Sequence, residues 1–537
     1  MTEAGLGCSA GPGALLALRS PEILDLQRRL ATLETQLVGL VATVVDARGQ
    51  ALAGATVEWT SSDPGIMAIV SGVRVTAFQD GAVTLTARSG ALAARSTGLV
   101  RQQVAALRWL TTPTDLLEGE APAEIKIEVR DRRGHPVVNA TEPVTVRLSG
   151  GPGLLTGPSQ QIPVRGVADF AATTISAAGI NYRLTAASDG VPSVTTAFFP
   201  VQHRFAVLWV GWTMNCARDL AGLTWCWGQN YRSLLLIPGD LDVFQPTRSP
   251  ALDAFPVLHT SGFPCATSAA GLFCWGSVAS PPLSQPQLIA TGSSITGIST
   301  GKQGCGSRAS VMVCWGAFGP GQSISPIAIP GPPQLQIVTT GVGLAHYCGL
   351  TPSGAAYCAG NNPSGEIGNG TTLSNPALTA VAGGIVFAEI DGGLEHTCGL
   401  ARLHAIYCWG SNQRGQLGDS TLGPRSTIPV QVVTPMPLTT LSVGQDHGCG
   451  LGVDQRAYCW GRGWNGELGT GHDHYQDYQV QQVPLPDRVR SVGAGWFHSC
   501  ALTFRGQVLC WGDNSIGQRG TGAYQDPYSP SPVGVAP

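Results

Sequence analysis

Seven cysteine pairs recur between residues 216 and 510: Cys216 with Cys226, Cys265 with Cys274, Cys305 with Cys314, Cys348 with Cys358, Cys398 with Cys408, Cys449 with Cys459, and Cys500 with Cys510. The members of a pair stand nine or ten residues apart, and successive first members are separated by 49, 40, 43, 50, 51 and 51 residues. A period of that size holds one small antiparallel sheet, and seven such sheets in one chain predict a seven-bladed propeller. In six repeats the second cysteine runs into Trp-Gly, as in Cys408-Trp409-Gly410; the fourth reads Cys358-Ala359-Gly360.

One repeat shows why the cysteines sit where they do. Pairing Cys348 with Cys358 sets Leu350 opposite Ala356 and leaves Pro352-Ser353-Gly354 as a three-residue loop. That is a type I turn followed by a left-handed residue, with Pro suited to the first turn position and Gly to the last. Gly222 and Gly506 fall at the same place, while His404 and Gln455 predict a strained turn. Opposed residues on antiparallel strands lie roughly 4.5 to 5.5 Å apart, within disulfide reach. Each repeat is therefore expected to staple its own hairpin. Buried free thiols are the alternative; zinc sites fit poorly because no Cys-x-x-Cys occurs.

Disulfides on this scale imply an oxidising compartment. Cys8 is left over, and Leu6-Gly7-Cys8-Ser9 partly matches a bacterial lipoprotein cleavage site, so lipidation of Cys8 and a plain unpaired tail cysteine both stand as readings. The chain as given opens without a usable signal peptide, and no segment reaches the ~18 apolar residues of a membrane span. Charged residues are 12% of the chain, against about 25% in ordinary soluble domains, and 71 Gly with 38 Pro punctuate many short strands. The expected fold class is all-β. Net charge is -3 and the lysines are Lys126 and Lys302 alone, which argues against nucleic acid as a partner.

Two modules precede the repeats. From 38 to 102, Leu40, Ala42 and Val44, then Val57 and Trp59, Val73 and Val75, and Val83, Leu85 and Ala87 alternate in short strands, which reads as a small β-sandwich. Trp59-Thr-Ser-Ser-Asp-Pro64, Val73-Arg-Val-Thr-Ala77 and Gly81-Ala-Val-Thr-Leu-Thr-Ala87 resemble bacterial immunoglobulin-like domains of surface adhesins. The second module, 103 to 203, resembles them less specifically, through Ile125, Ile127 and Val129, Val144, Val146 and Leu148, and Gly179-Ile-Asn-Tyr-Arg-Leu184. The resemblance implies spacers that lift a terminal domain from a cell surface. Residues 1 to 37 are read as a tail or short helix; Ile23, Leu26, Leu30, Leu33, Leu37 and Leu40 keep coiled-coil spacing over less than three heptads, so local packing is favoured. Asn139-Ala-Thr141 is a weak glycosylation sequon.

The full repeat is visible in His396-Thr-Cys-Gly-Leu400, Tyr407-Cys-Trp-Gly410 and Asn412-Gln-Arg-Gly-Gln-Leu-Gly418. These residues resemble the regulator of chromosome condensation repeat, a family of seven-bladed propellers, in the cysteine-paired form of exported bacterial proteins. The resemblance covers 204 to 537. Gly365-Glu-Ile-Gly368, Gly466-Glu-Leu-Gly469 and Gly517-Gln-Arg-Gly520 occupy the final motif, with Arg519 in an apolar slot; repeats one to three lack it. No strand like Pro429-Val-Gln-Val432 precedes repeat one, so the C-terminal Pro532-Val-Gly-Val535 is expected to complete the first blade and close the ring.

No catalytic residue, metal site or cofactor is expected. His346, His396, His447 and His498 each lie two residues before a first cysteine and are read as a repeated hydrogen bond rather than a metal site, since equivalent blade positions spread in a circle. His472-Asp-His474 is too tightly spaced for chelation and reads as a solvated loop. What remains is a surface suited to binding: Trp464, Tyr475, Tyr478, Trp496, Phe497, Tyr524 and Tyr528 gather in repeats six and seven. The leading reading is a non-enzymatic recognition protein outside a bacterium or in its envelope, meeting a protein or glycan, with a membrane reached only through a lipid anchor. The resemblance implies two rivals: a secreted inhibitor of a β-lactamase or cell-wall enzyme, and a guanine-nucleotide exchange factor, whose cytosolic setting conflicts with the disulfides.

Overall fold

The computed structural model describes residues 14–17, 38–39, 43–46, 56–70, 74–77, 81–90, 92–100, 102–114, 116–121, 125–132, 134–276, 283–292, 295–300, 303–316, 323–331, 335, 337–340, 346–421, 423–472, 474–522 and 527–534. Cys8, most of the candidate coiled coil and Tyr524 lie outside the described residues, as do the side chains of Tyr475 and Tyr478. The chain divides into two compact units, Met1–Val201 and Gln202–Pro537. Its described residues are strands joined by turns, with two 3-10 turns, Tyr231–Ser233 and Pro250–Leu252.

The first unit contains two modules. The earlier has two three-stranded sheets, one of Glu58–Ser61, Gly81–Ser89 and Leu92–Val100, the other of Val38–Gly39, Arg74–Ala77 and Met67–Val70. Val83, Leu85 and Ala87 are buried while their neighbours are not, the two-residue period of a strand with one covered face. Ala14–Ala17, assigned to a tail by its sequence, pairs antiparallel with Thr43–Asp46. In the later module Val144–Ser149 and Gly179–Ser188 pair in one sheet and Ala106–Thr111 and Lys126–Arg130 in another. Ile127, Val129, Val144, Val146, Phe170, Tyr182 and Leu184 form its core. The Tyr182 hydroxyl, inside that core, accepts from the Gly153 N–H and donates to the Ala177 carbonyl.

The second unit is the propeller. Seven four-stranded antiparallel sheets follow one another, each using strands in chain order. Blade five, for example, consists of Phe387–Gly392, His396–Ala401, Ile406–Ser411 and Arg425–Gln431. First strands of neighbouring blades touch, so they line the axis. His396–Ala401 is buried throughout because both faces of its sheet are covered.

Each blade closes one disulfide across its second and third strands. Cys216 bonds Cys226 in blade one, Cys265 bonds Cys274 in blade two, and Cys305 bonds Cys314 in blade three. In blades four to seven Cys348 bonds Cys358, Cys398 bonds Cys408, Cys449 bonds Cys459 and Cys500 bonds Cys510. The two cysteines of every bridge are directly opposed in the strand register. Their Cα atoms are 4.0 to 4.1 Å apart, a little closer than the spacing expected from the sequence and characteristic of the non-hydrogen-bonded position of an antiparallel ladder. The sulfurs are therefore neither free thiols nor metal ligands. The turn chemistry is as expected: Leu350 faces Ala356, Gly222, Gly354 and Gly506 have φ of 83°, 88° and 92°, and His404 and Gln455 are held at 64° and 65°.

In blades one, two, five, six and seven the tryptophan after the second cysteine is a rivet between blades. Trp409, Trp460, Trp511 and Trp275 are buried, and their indole N–H groups donate to the carbonyls of Glu366, Gln416, Glu467 and Leu234, each on the preceding blade. The following glycine turns left-handed, φ 104° at Gly410, where a side chain would meet the Glu395 backbone.

Closure departs from the sequence expectation. Phe205–Val210 supplies the first strand of blade one, and Ser531–Pro532 pairs with Leu509 and Cys510 as the last strand of blade seven, so no strand is shared. The seam is closed by the rivet found elsewhere: Trp227 donates to the Gln518 carbonyl, joined there by the Asn215 amide. Blade one also keeps the outer-loop pin that its missing glycines concealed. Asn230 accepts from the Leu235 N–H, as Asn362, Asn412 and Asn514 accept from Ile367, Leu417 and Arg519. Its left-handed positions are filled by Ser233 and Leu236.

Candidate recognition site

In an antiparallel blade the turn joining its first two strands and the loop joining its last two emerge at the same end. At that end of blades four to seven a buried polar layer lies beneath the surface. His346, His447 and His498 reach the residue before the first cysteine of the next blade, Nε2 lying 3.1, 2.9 and 3.0 Å from Thr397 Oγ1, Ser499 Oγ and Asn215 Oδ1. Thr397, Ser499 and Asn215 in turn donate to the carbonyls of Glu366, Glu467 and Gln518. That relay leaves each histidine as the Nε2–H donor. Burial holds all four histidines neutral: His346 and His498 are lowered to about 4, His396 and His447 to about 3. Gly448 gives His396 no equivalent partner, because the Trp460 ring occupies the space a side chain would need.

Above this layer runs a ladder of stacked side chains across blades five, six, seven and one. The Arg414 guanidinium lies 5.0 Å from the Trp464 ring centre, and Arg462 lies 5.2 Å from Trp464 and 4.5 Å from Phe497. Phe497 stacks on Trp496 at 5.4 Å and 10°, and Trp496 meets Trp212 at 5.9 Å. Short Gly-x-x turns position the last three rings, Gly495 preceding Trp496 and Gly211 preceding Trp212; the Trp496 N–H donates to the Trp212 carbonyl across the seam. Asp446 anchors the ladder from below, accepting from Gln445 at 2.8 Å and facing Arg414 Nε at 3.4 Å and Arg462 Nη1 at 3.9 Å. Glu467, fully buried, faces Arg462 Nε at 3.5 Å. Burial pushes Glu467 up to about 7, and Arg462 pulls against that rise.

The ladder is preorganised, with its cations held against carboxylates and its rings partly buried. The indole N–H groups of Trp212 and Trp496 are turned out of solvent, so the exposed parts of those rings are hydrocarbon. Stacked rings edged by guanidinium groups suit recognition: large apolar contact at low entropic cost, with donors at the rim. Among the described residues no group of three or more His, Cys, Asp or Glu could hold a metal ion.

Trp464, Trp496 and Phe497, singled out in the sequence, are thus brought together. Trp212, Arg414 and Arg462 were missed, although Trp212 follows a turn glycine as Trp496 does. The tyrosines are not brought to the ladder by anything observed. Tyr475 and Tyr478, expected in a loop, belong to the strand His474–Gln482. Tyr528 is half-buried, in a segment whose carbonyls at Pro527 and Tyr528 accept from Gly512 and Gly471.

Comparison with known proteins bears on the propeller. Two family models described as regulator of chromosome condensation (RCC1) repeat match, one over 387–416 and 489–518, the other over 404–451 and 454–502. The chain is 38% identical over 93 residues to the ultraviolet-B receptor UVR8 of Arabidopsis thaliana, covering 17% of this chain and 20% of that one. It is 30% identical over 96 residues to the human probable E3 ubiquitin-protein ligase HERC6, covering 18% of this chain and 9% of the ligase. The chain therefore spans a fifth or less of the length of these relatives. Among solved structures, a chain in the crystal structure of Kap60 bound to yeast RCC1 (Prp20) is similar with TM-score 0.49 at 18% identity, over 62% of this chain and 85% of that one. Human WBSCR16 is similar with TM-score 0.44 at 15% identity, over 73% and 94%. Blades five to seven of this seven-bladed propeller thus match the regulator of chromosome condensation repeat, in a form whose every blade carries a disulfide.

Proposed function

We propose that this chain is a non-enzymatic recognition protein of the cell exterior, whose propeller binds a protein or glycan through the Arg414–Trp464–Arg462–Phe497–Trp496–Trp212 ladder. The ladder itself carries the reading, because aromatic and arginine side chains stacked on one another and partly open to solvent are what interface anchors require. Seven disulfides support the exterior setting. The preceding modules would act as immunoglobulin-like spacers, and Cys8 as a lipid attachment point in a bacterial envelope.

The test is a screen of the full chain against glycan and surface-protein arrays, with β-lactamases and cell-wall peptidases included. Trp464→Ala and Trp496→Ala should each weaken a captured ligand about thirtyfold, as truncation of an anchor costing ~2 kcal/mol does. Undiminished binding by both variants, with folding intact, would move recognition away from the ladder.

A further inference from the structure

The arginines of the propeller are scattered in sequence, and folding collects five of them at the end opposite the ladder. That end carries the hairpin turns between second and third strands and the linkers from each blade to the next. The two sets touch: the Arg402 N–H donates to the Val386 carbonyl, Val453 to Pro437 and Phe504 to Arg488. Arg402, Arg456, Arg488, Arg490 and Arg505 are all exposed there. In the turns and linkers of blades five to seven (383–387, 401–405, 432–441, 452–456, 483–490 and 503–507) the acids are Asp454 and Asp487. Asp454 is occupied with the Tyr458 hydroxyl and the Arg456 N–H, and Asp487 with the Arg488 N–H.

Large apolar side chains stand at the tips of the same turns. Leu403 is 90% exposed, Val453 55% and Phe504 46%, the last with Arg490 over its ring at 5.6 Å; Leu220 on adjoining blade one is 63% exposed. Single exposed apolar residues need no explanation. A row of them on consecutive turns, ringed by arginines in a chain of net charge -3, does.

We propose that the hairpin-turn face of blades five to seven docks on a bilayer surface bearing anionic phosphate headgroups, the arginines meeting phosphate and Leu403, Val453 and Phe504 entering the acyl boundary. A nucleic acid backbone would be satisfied by the arginines and offers nothing to aliphatic tips; a lipid surface accepts both. Because the ladder occupies the opposite end, docking leaves it facing away from the membrane.

The experiment is flotation of the full chain with vesicles of phosphatidylcholine mixed with phosphatidylglycerol, with phosphatidylcholine vesicles alone, and with duplex DNA as competitor, at low and physiological salt. The chain should float with the mixed vesicles, less at higher salt, and not with the neutral ones. R402Q/R456Q/R505Q should lower partitioning roughly a hundredfold, each arginine near such a surface counting for about fivefold, and the lysine triple variant should restore it. L403S/V453S/F504S should lower it about tenfold or more. Trp464→Ala, on the opposite face, should change nothing. The proposal is overturned if the parent ignores mixed vesicles, floats equally with neutral ones, or binds DNA in preference to lipid. It is also overturned if either triple variant, melting like the parent, floats as the parent does.

Discussion

At residue 366 a glutamate stands where blades five and seven carry Gln416 and Gln518, and all three make the same bond, an acid or amide oxygen accepting from the N–H two residues upstream. Glu366 is fully buried, and desolvation pushes it up to about 7. A raised carboxylate pKa means that its contribution to stability is complete below the ordinary value of 4.5 and is lost as pH rises through about 7. Glu366→Gln should therefore match the parent near pH 5 and be the more stable at pH 8, by about 2 kcal/mol, read from thermal melting at the two pH values. Glu467→Gln should gain less, since the change strips Arg462 of one of its two carboxylate partners; an equal gain in both would show that the Arg462–Glu467 contact is idle. The interchange of Glu and Gln in Gly-Glu-x-Gly is plain in the sequence, but a glutamate in a glycine-rich loop reads as solvated. Burial comes from the next blade, which a single repeat does not announce. Arg414 and Arg462 escaped notice for the same reason: Arg414 stacks on Trp464 and Arg462 on Phe497, each a ring supplied by the next blade.

Among elements, blade four is the informative exception. In blades five to seven the residue before the first cysteine is small and faces the tryptophan after the second, as Thr397 faces Trp409, Gly448 faces Trp460 and Ser499 faces Trp511. In blade four Tyr347 faces Ala359, so the bulky member has changed strands while the pair keeps its place. Ala359→Trp alone should overpack that site and cost roughly 1 to 3 kcal/mol, and Tyr347→Gly combined with it should recover most of the loss in a thermal double-mutant cycle. If the double variant is as unstable as the sum of the singles, the exchange is not compensatory. The hairpins were the most legible elements, because turn chemistry acts over five residues: His404→Gly and Gln455→Gly should each stabilise by up to about 1 kcal/mol, relieving a left-handed non-glycine residue. The outer loop of blade one was illegible for the converse reason. Its conformation is fixed by Asn230, while the residues at its left-handed positions, Ser233 and Leu236, do not advertise it.

For the whole molecule, intact-mass measurement with alkylation before and after reduction should find fourteen cysteines protected; labelling of most of them without reductant would contradict the cross-strand bridges. The buried histidines set the acid limit. Their lowered pKa values make a contribution that is complete above the ordinary 6.5 and lost as pH falls through 4 to 3, so the propeller's melting temperature should drop below pH 6.5. Glu366 and Glu467 work in the opposite sense between 4.5 and 7, but four histidines outweigh two glutamates. Removing residues 531 to 537 should strip the outer strand of blade seven and Val533 from the cluster around Trp227, lowering the melting temperature without opening the ring. Asn215→Ala should cost about 1 to 3 kcal/mol by leaving His498 without its partner at the seam.

A ring sealed by side chains between self-contained blades has no need of its two ends together. Every blade is built from one uninterrupted stretch of chain, and every disulfide joins residues at most ten apart. Such a protein can mature blade by blade in the order of synthesis, each thiol meeting its partner before the next pair exists, so that mispairing is avoided by timing rather than by isomerisation. The same independence means that new termini introduced between any two blades, with the old ones joined, should still give a closed propeller.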